Sequence, residues 1–221
     1  MSLYPVAEYF VSINGEGARA GNLAAFIRLR TCNLHCSYCD TRWANSEDAL
    51  CQYMSTEDLL AWLEETKVRL VTLTGGEPLL NPETADLIDR LGEAGYEVEI
   101  ETNGSIDIGP FAALPHRPSF TLDYKCPGSG MEEFMLTENY RFLISSDTVK
   151  FVVSSVEDLE KAAEICRTFS LTDRCHVFLS PVFGRIEPRE IVEYMAARSW
   201  NGIRLQLQLH KYIWPPDQRG V

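Results

Sequence analysis

The sequence predicts an α/β protein built on a mainly parallel sheet. Short runs rich in Val, Ile, Phe and Tyr alternate with amphipathic stretches of helical length, which is the pattern of βαβ units. No internal repeat, low-complexity tract or linker divides the 221 residues, so 1–221 reads as a single domain with room for a sizeable core. Cys32, Gly75, Thr102, Lys125 and Ser180 each follow a predicted strand. In parallel α/β folds, ligands bind at the carboxyl ends of the strands, so these residues point to one shared site.

Val6 to Ile13, rich in Val, Phe and Tyr, predicts the first strand. It runs into Asn14-Gly15-Glu16-Gly17, where two glycines around a carboxylate suit a simple turn or a close backbone approach to a ligand. Leu23 to Leu29 predicts the second strand. Arg28 in it is either a surface charge or a bidentate partner for an anion. Residues 42–54 lack periodicity and predict a loop. Ser55-Thr56-Glu57-Asp58 predicts a helix start, with an oxygen-bearing cap and early acids; Leu59, Leu60, Trp62 and Leu63 form its apolar face. Arg69 to Thr74 predicts a buried strand that ends in Gly75-Gly76-Glu77-Pro78. Asn81-Pro82-Glu83 opens a helix, with proline at a tolerated early position, that ends near Gly92 or Gly95. Tyr96 to Glu101, Ser119 to Tyr124, Asp147 to Val153 and His176 to Leu179 predict further strands. The second of these leads into Lys125-Cys126-Pro127-Gly128-Ser129-Gly130 and the last into Ser180-Pro181-Val182-Phe183-Gly184. Val156, Leu159, Ala163, Cys166 and Phe169 recur at helical spacing, and Pro188 to Ala197 is helical. Ile203 to Leu209 alternates apolar and polar residues as a strand does.

A net charge of −12 argues against nonspecific nucleic-acid binding, which needs cations on phosphates. Hydrophobic residues at 45% and charged residues at 24% are ordinary for a soluble globular protein. No apolar run reaches the length of a membrane span, and Met1-Ser2-Leu3-Tyr4-Pro5 lacks a signal-peptide pattern. Seven cysteines, three of them clustered, do not resemble a disulfide framework and fit a reducing cytoplasm. Cys51, Cys126, Cys166 and Cys175 read as small buried or partly buried residues.

Cys32, Cys36 and Cys39 are spaced C-x3-C-x2-C, with no fourth Cys or His at a suitable spacing beyond them. A structural zinc site wants four ligands, and a cubane usually takes four thiolates. The economical reading is a 4Fe–4S cluster with three irons held by protein and one open to a ligand. A Cys3His zinc site using His35 is the competing reading, cramped by the position of His35 between Cys32 and Cys36.

The triad resembles that of the radical S-adenosylmethionine (SAM) superfamily, whose open iron binds the amino and carboxylate groups of SAM. Gly75-Gly76-Glu77-Pro78 resembles the superfamily's GGEP strand end, at the expected distance of about forty residues beyond the cysteines. Glu101-Thr102-Asn103-Gly104 and Ser180-Pro181-Val182 fall where that family contacts the rest of SAM. Within the superfamily the chain is similar, over nearly its whole length, to the 7-carboxy-7-deazaguanine synthase family. Asn14-Gly15-Glu16-Gly17, Phe26-Ile27-Arg28, Cys39-Asp40-Thr41 and Gln208-Leu209-His210-Lys211-Tyr212 carry that likeness. It departs from the family's pattern where Asn14 stands for a commoner Gln, where Leu209 stands for a common Thr, and where the tail runs past the usual end.

The resemblance implies a shortened, partly open (β/α) barrel, with a cluster loop at 31–44 and a substrate-side tail at 208–221. It implies radical ring contraction of 6-carboxy-5,6,7,8-tetrahydropterin to 7-carboxy-7-deazaguanine with loss of ammonia, in queuosine or deazapurine biosynthesis. The implied cofactors are the 4Fe–4S cluster, SAM and Mg²⁺. The implied partners are a flavodoxin or ferredoxin as electron donor and a second copy in a homodimer. Carried over residue by residue, Cys32, Cys36 and Cys39 hold the cluster and Thr41 gives Mg²⁺ an oxygen. Tyr38, Cys39, Asp40, Gly76, Asp123, Tyr124, Lys125, Ser180, Pro181, Val182 and Phe183 line the SAM site. Ile13, Asn14, Gly15, Arg28 and Thr74 touch the pterin, with Arg28 on its carboxylate. Glycyl-radical activating enzymes share the cysteine spacing and GGEP but have no need of the Asn14–Gly17 and His210–Tyr212 segments. A non-enzymatic metal-binding module would leave GGEP unexplained.

Overall fold

One sheet organises the chain, and its two faces have opposite chemistry. The computed structural model describes residues 2–46 and 48–221. Met1, of the N-terminal stretch, and Glu47, of the predicted 42–54 loop, lie outside the described residues. The elements run β1 (Leu3–Ile13), β2 (Leu23–Leu29), α1 (Arg42–Asn45), β3 (Gln52–Ser55), α2 (Thr56–Thr66), β4 (Leu70–Gly75), α3 (Thr84–Glu93) and β5 (Glu97–Thr102). They continue with α4 (Gly109–Ala112), β6 (Ser119–Tyr124), β7 (Thr148–Val153), α5 (Val156–Phe169), β8 (His176–Pro181), α6 (Pro188–Ala197), β9 (Ile203–Leu205) and α7 (His210–Ile213). The strand order is β3-β1-β2-β4-β5-β6-β7-β8-β9. β1 runs antiparallel to β2 and β3, and every pairing from β2 to β9 is parallel. The expected α/β class and mainly parallel sheet are observed. Among the described residues no helix is long and apolar enough to cross a membrane.

The outer face is apolar. Val71 and Leu73, Val98 and Ile100, Phe120 and Leu122, Val149 and Phe151, and Val177 and Leu179 join Leu59, Leu87, Leu159 and Ile191 of the helices in one core. Most residues on the opposite face of these strands are polar, namely Thr72, Thr74, Glu99, Glu101, Thr121, Asp123 and Lys150, with apolar exceptions such as Val152 and Phe178. This alternation follows from the two-residue period of a strand, and it lines the inside of the curved sheet with groups that need partners.

The barrel stays partly open between the β9 and β1 sides, and side chains bridge the gap at the top. The Gly17 N–H donates to Gln206 Oε1 at 2.6 Å and Gln206 Nε2 donates back to the Gly17 carbonyl at 3.0 Å. Gln208 Nε2 donates to Glu16 at 3.0 Å, and the Leu209 N–H donates to the Gly15 carbonyl at 3.1 Å.

β2, β6 and α6 coincide with their predicted spans, and β4, β5 and β7 differ from theirs by a residue at one or both ends. The predicted loop over 42–54 is corrected: it holds α1 and most of β3, which forms by pairing Gln52–Ser55 with Val6–Leu3. The predicted start of the third helix moves from Asn81 to Thr84, because Pro78–Leu80 makes its own 3-10 turn. The predicted strand from Ile203 to Leu209 stops at Leu205, where Gln206 turns its amide to Gly17. The predicted start of α2 holds in detail: Ser55 Oγ accepts from the Asp58 N–H at 3.1 Å while Asp58 accepts from the Ser55 N–H at 2.9 Å, a capping box.

At the base of the sheet, fully buried Asp147 accepts from Arg117 Nη2 at 2.6 Å and Nη1 at 3.1 Å, from the Phe120 N–H at 2.9 Å and from the Ile144 N–H at 2.8 Å. Removing one member of a buried ion pair strands the other. Asp147→Ala should therefore lower stability by about 3–5 kcal/mol, seen as a fall in the denaturant midpoint. On the inner face, Glu99 accepts from Asn14 Nδ2 at 2.8 Å and from Thr121 Oγ1 at 2.7 Å. Burial, aided by the carboxylate of Glu101, raises the Glu99 carboxyl to about 7. A carboxyl raised on folding contributes stability that is present below its unfolded value, about 4.3, and is lost as pH climbs through its folded value. Between about pH 5 and 8, Glu99→Gln should therefore lose less stability than the unaltered chain, by on the order of 2 kcal/mol, measured by denaturant titration across that range.

Candidate active site

The site is built on the ends of β2 and β4 and the loop that leaves β2. Gly75 has φ +152, and a Cβ there would strike the Leu29 backbone; a Cβ on Gly76 would strike the Thr31 carbonyl. Only glycines let the two strand ends meet so closely. Thr31, at φ 82, is itself in the left-handed region, a costly conformation for a β-branched residue. It is held from both sides: its N–H donates to the Ala44 carbonyl at 3.1 Å and its carbonyl accepts from the Glu77 N–H at 2.8 Å. The cysteine loop begins at the next residue.

That loop is clamped at its far side by the segment after β6. The Ser37 N–H donates to the Ser129 carbonyl at 2.9 Å, and Ser37 Oγ donates to the Gly128 carbonyl at 2.7 Å. Gly128 in turn donates to buried Asp158 at 2.8 Å, which also accepts from the Ser154 N–H and hydroxyl at 2.7 Å. Tyr38 donates its hydroxyl to the Val152 carbonyl at 3.1 Å, and burial raises its phenol far above the usual range.

Cys32, Cys36 and Cys39 are free thiols around one cavity of about 440 Å³. Amide N–H groups reach two of the sulfurs: Leu34 and Asn103 approach Cys32 at 3.4 and 3.6 Å, and Asn45 approaches Cys39 at 3.4 Å. Such N–H···S bonds are a protein's means of tuning an iron–sulfur cluster. Among the described residues no three His, Cys, Asp or Glu side chains converge on a single metal position. A cubane asks for one thiolate per iron, spread over its corners, and three thiols facing a common space meet that donor requirement. Burial pushes the Cys32 and Cys36 thiols up, so metal loading must displace their protons.

The cavity gathers most of the residues singled out from the sequence. Tyr38, Cys39, Asp40, Gly76, Asp123, Lys125, Val182 and Phe183 line it, as do Ile13, Gly15, Arg28, Thr41 and Thr74. Four lie off its wall. Tyr124 follows Asp123 on β6 and points the other way, into the apolar core, with its hydroxyl on Glu132 at 3.0 Å. Ser180 and Pro181 are buried behind the wall. Asn14 is buried as a brace, donating to Glu99 and accepting from Thr72 at 3.0 Å.

The charges inside are paired. Lys150 meets Glu16 at 3.0 Å and Asp123 at 3.6 Å, and Lys125 meets Asp123 at 2.9 Å. Burial works against both lysine charges, yet Asp123 beside Lys125 and Glu16 beside Lys150 hold them above the ordinary lysine range. Asp123 Oδ1, on the cavity wall, is buried without a hydrogen-bond partner among the described residues, whereas the Ser180 hydroxyl lies close enough to Glu16 to help hold its carboxyl down. A buried polar atom such as Asp123 Oδ1 calls for a polar ligand. At the rim Lys211 pairs with Asp40 at 3.1 Å, and Thr41 Oγ1 donates to Asp40 at 3.1 Å. Burial would raise the Asp40 carboxyl, but Lys211 brings it down to about 2.

Glu8, Glu16, Glu101, Lys150, His210 and Lys211 also line the cavity and were not singled out individually from the sequence. A signal existed for Lys150, the one cation inside the apolar run Thr148–Val153. His210 sits against Gly15, where a Cβ would come within 2.6 Å of its Nδ1, and burial lowers its pKa.

Comparison with known proteins identifies relatives of the chain. The Radical SAM superfamily matches residues 26–119. The chain is 49% identical to 7-carboxy-7-deazaguanine synthase of Clostridium acetobutylicum over 99% of both chains. It is 41% identical to the protein of that name from Methanospirillum hungatei, over 96% of this chain and 86% of the other. The crystal structure of QueE from Escherichia coli superposes with a TM-score of 0.75 at 28% identity, covering 94% of this chain and 95% of that one. Since relatives at 49% and 41% identity are matched over 99% and 86% of their own lengths, the chain belongs to the 7-carboxy-7-deazaguanine synthase family of the radical SAM superfamily.

Proposed function

We propose that the chain converts 6-carboxy-5,6,7,8-tetrahydropterin to 7-carboxy-7-deazaguanine by radical ring contraction with loss of ammonia. The observation that carries this reading is similarity to proteins of that name over 96–99% of this chain, joined to a cavity that brings the three thiols and Arg28 together. The names of these relatives favour it over a glycyl-radical activating enzyme or a metal-binding module.

Cys32, Cys36 and Cys39 would hold a 4Fe–4S cluster, and Gly76, Asp123 and Lys125 would receive SAM beside it. The bound cluster and SAM would supply the radical chemistry needed for hydrogen abstraction from the pterin. The chain's own share is to orient and to exclude water. The Tyr38 hydroxyl, tied to Val152, fixes the loop between Cys36 and Cys39. Arg28 would take the substrate carboxylate, while Lys125 and Lys150 stay charged at neutral pH and are balanced on the inner wall by Asp123 and Glu16. Val182 and Phe183 offer apolar surface, and Ile13, Gly15 and Thr74 shape the pterin side. Tyr124, Ser180, Pro181 and Asn14 would act from behind the wall by fixing the strands. Thr41 would give Mg²⁺ an oxygen, although its hydroxyl is on Asp40 in the ligand-free chain. The chain would work as a single unit over 1–221, as a cytoplasmic homodimer, with a flavodoxin or ferredoxin as reductant.

Anaerobic incubation of the reconstituted chain with carboxytetrahydropterin, SAM, reductant and Mg²⁺ should give carboxydeazaguanine by mass spectrometry; SAM cleavage without that product would sink the reading. Reconstitution should load about four irons per chain, and Ala at Cys32, Cys36 or Cys39 should abolish the cluster's absorbance, whereas Ala at Cys126, Cys166 or Cys175 should leave it. Thr41→Ala should keep the cluster but lose most of the Mg²⁺ activation of product formation; a Mg²⁺ response equal to that of the unaltered chain would place the metal elsewhere.

A further inference from the structure

Glu8 is set on the cavity wall by an irregularity in β1. Val6 pairs with Leu29, yet Glu8 pairs with Arg28, so one extra residue, Ala7, is inserted on β1. In a regular ladder Ala7 would stand opposite Arg28. Val6 and Glu8 would then face the same side, because residues two apart share a face. The insertion separates them: Val6 is in the apolar core under the helices, while Glu8 lines the cavity. Bulges next to active sites re-aim side chains in this way.

The re-aimed carboxylate meets Arg28. Glu8 Oε1 accepts from Arg28 Nε at 2.7 Å, with both side chains less than one-fifth exposed. Arg28 makes no other hydrogen bond among the described residues. A guanidinium is a planar fork on a long flexible stem. Anchoring Nε fixes the plane of the fork and leaves its two terminal nitrogens, which can take a carboxylate end-on through two parallel N–H···O bonds, for the cavity.

We infer that Glu8 is a positioning residue for carboxylate recognition. It holds Arg28 by Nε so that the terminal nitrogens present a preformed bidentate site to the acidic substituent of the substrate. The inference rests on the proposed role of Arg28. It also sets a direction against simple electrostatics, since a second carboxylate beside Arg28 would by charge alone weaken the binding of an anion.

The test uses anaerobic holoenzyme with carboxytetrahydropterin as the probe for KM and kcat, and calorimetry for SAM. Glu8→Ala should raise KM for the carboxypterin by about tenfold, the scale of one charge-assisted hydrogen bond, with kcat changed far less and SAM affinity unchanged. Glu8→Gln, close in size and still an acceptor, should show a smaller rise, which guards against a folding defect in the alanine variant. In an Arg28→Ala background, Glu8→Ala should add nothing further. An unchanged or lower KM in Glu8→Ala would overturn the inference, since the carboxylate would then be inert or a competitor. An added loss in the Arg28→Ala background would overturn it too, by showing that Glu8 acts through another group. An Arg28→Ala enzyme with normal KM would remove the carboxylate role of Arg28 and the inference with it. Failure of the unaltered chain to form product would remove the functional reading itself.

Discussion

The buried carboxylate of Glu77 ties the strand ends to the cysteine loop. It accepts from the Asn103 N–H at 2.6 Å, from the Leu79 N–H at 3.0 Å and from Thr102 Oγ1 at 2.9 Å. Its own N–H donates to the Thr31 carbonyl at the start of the loop. One residue thus joins β4, β5 and the exit of β2. Its burial raises the carboxyl to about 7 even with three donors on it. Such a cost is tolerable only where the group sets geometry that apolar packing cannot. Asn103, held by this carboxylate, is the residue whose amide reaches Cys32 and Asn33. The register of the cysteine loop is therefore passed outward from the sheet through hydrogen bonds.

Buried lysines fit a chain of net charge −12 because each faces a carboxylate. The strands bury alternate residues on two different faces. The outer face solves the folding problem by area, with apolar side chains under helices. The inner face has to be solved pair by pair: Lys150 with Glu16, Lys125 with Asp123, Thr74 with Glu101. Several partners come from distant parts of the chain, such as Glu16 and Lys150 or Asn14 and Glu99. The polar network therefore closes only once the sheet has closed.

Legibility in the sequence followed the range of the interaction. Elements governed by local periodicity or capping, such as β6, α6 and the Ser55 start of α2, were readable to the residue. β3 was not, because a four-residue strand is defined by its partner β1 rather than by its own pattern. The alternation of Ile203 to Leu209 misled for the opposite reason. Its polar residues are not a solvent face but amides that reach across the barrel opening. At the site, motif residues at strand ends were found, whereas Glu8 was invisible, since an inserted residue in a ladder has no signature in one sequence. Tyr124 shows the limit of a contiguous motif. Asp123-Tyr124-Lys125 runs unbroken along the chain, yet alternation sends the middle side chain to the core.

The early end of β9 has a consequence for how the protein behaves in a crowded solution. An open sheet leaves edges, and a long free edge is a template on which other chains can add strands and aggregate. Here β9 offers only three residues at one margin, while at the other β3 covers β1 over Leu3–Val6 alone. Just past β9, Gln206 spends its amide on Gly17 and the Leu209 N–H is spent on Gly15. The contacts that cap the barrel mouth thus also blunt the β9 edge, and at that margin self-templated strand addition is limited by the same few amides that shape the cavity.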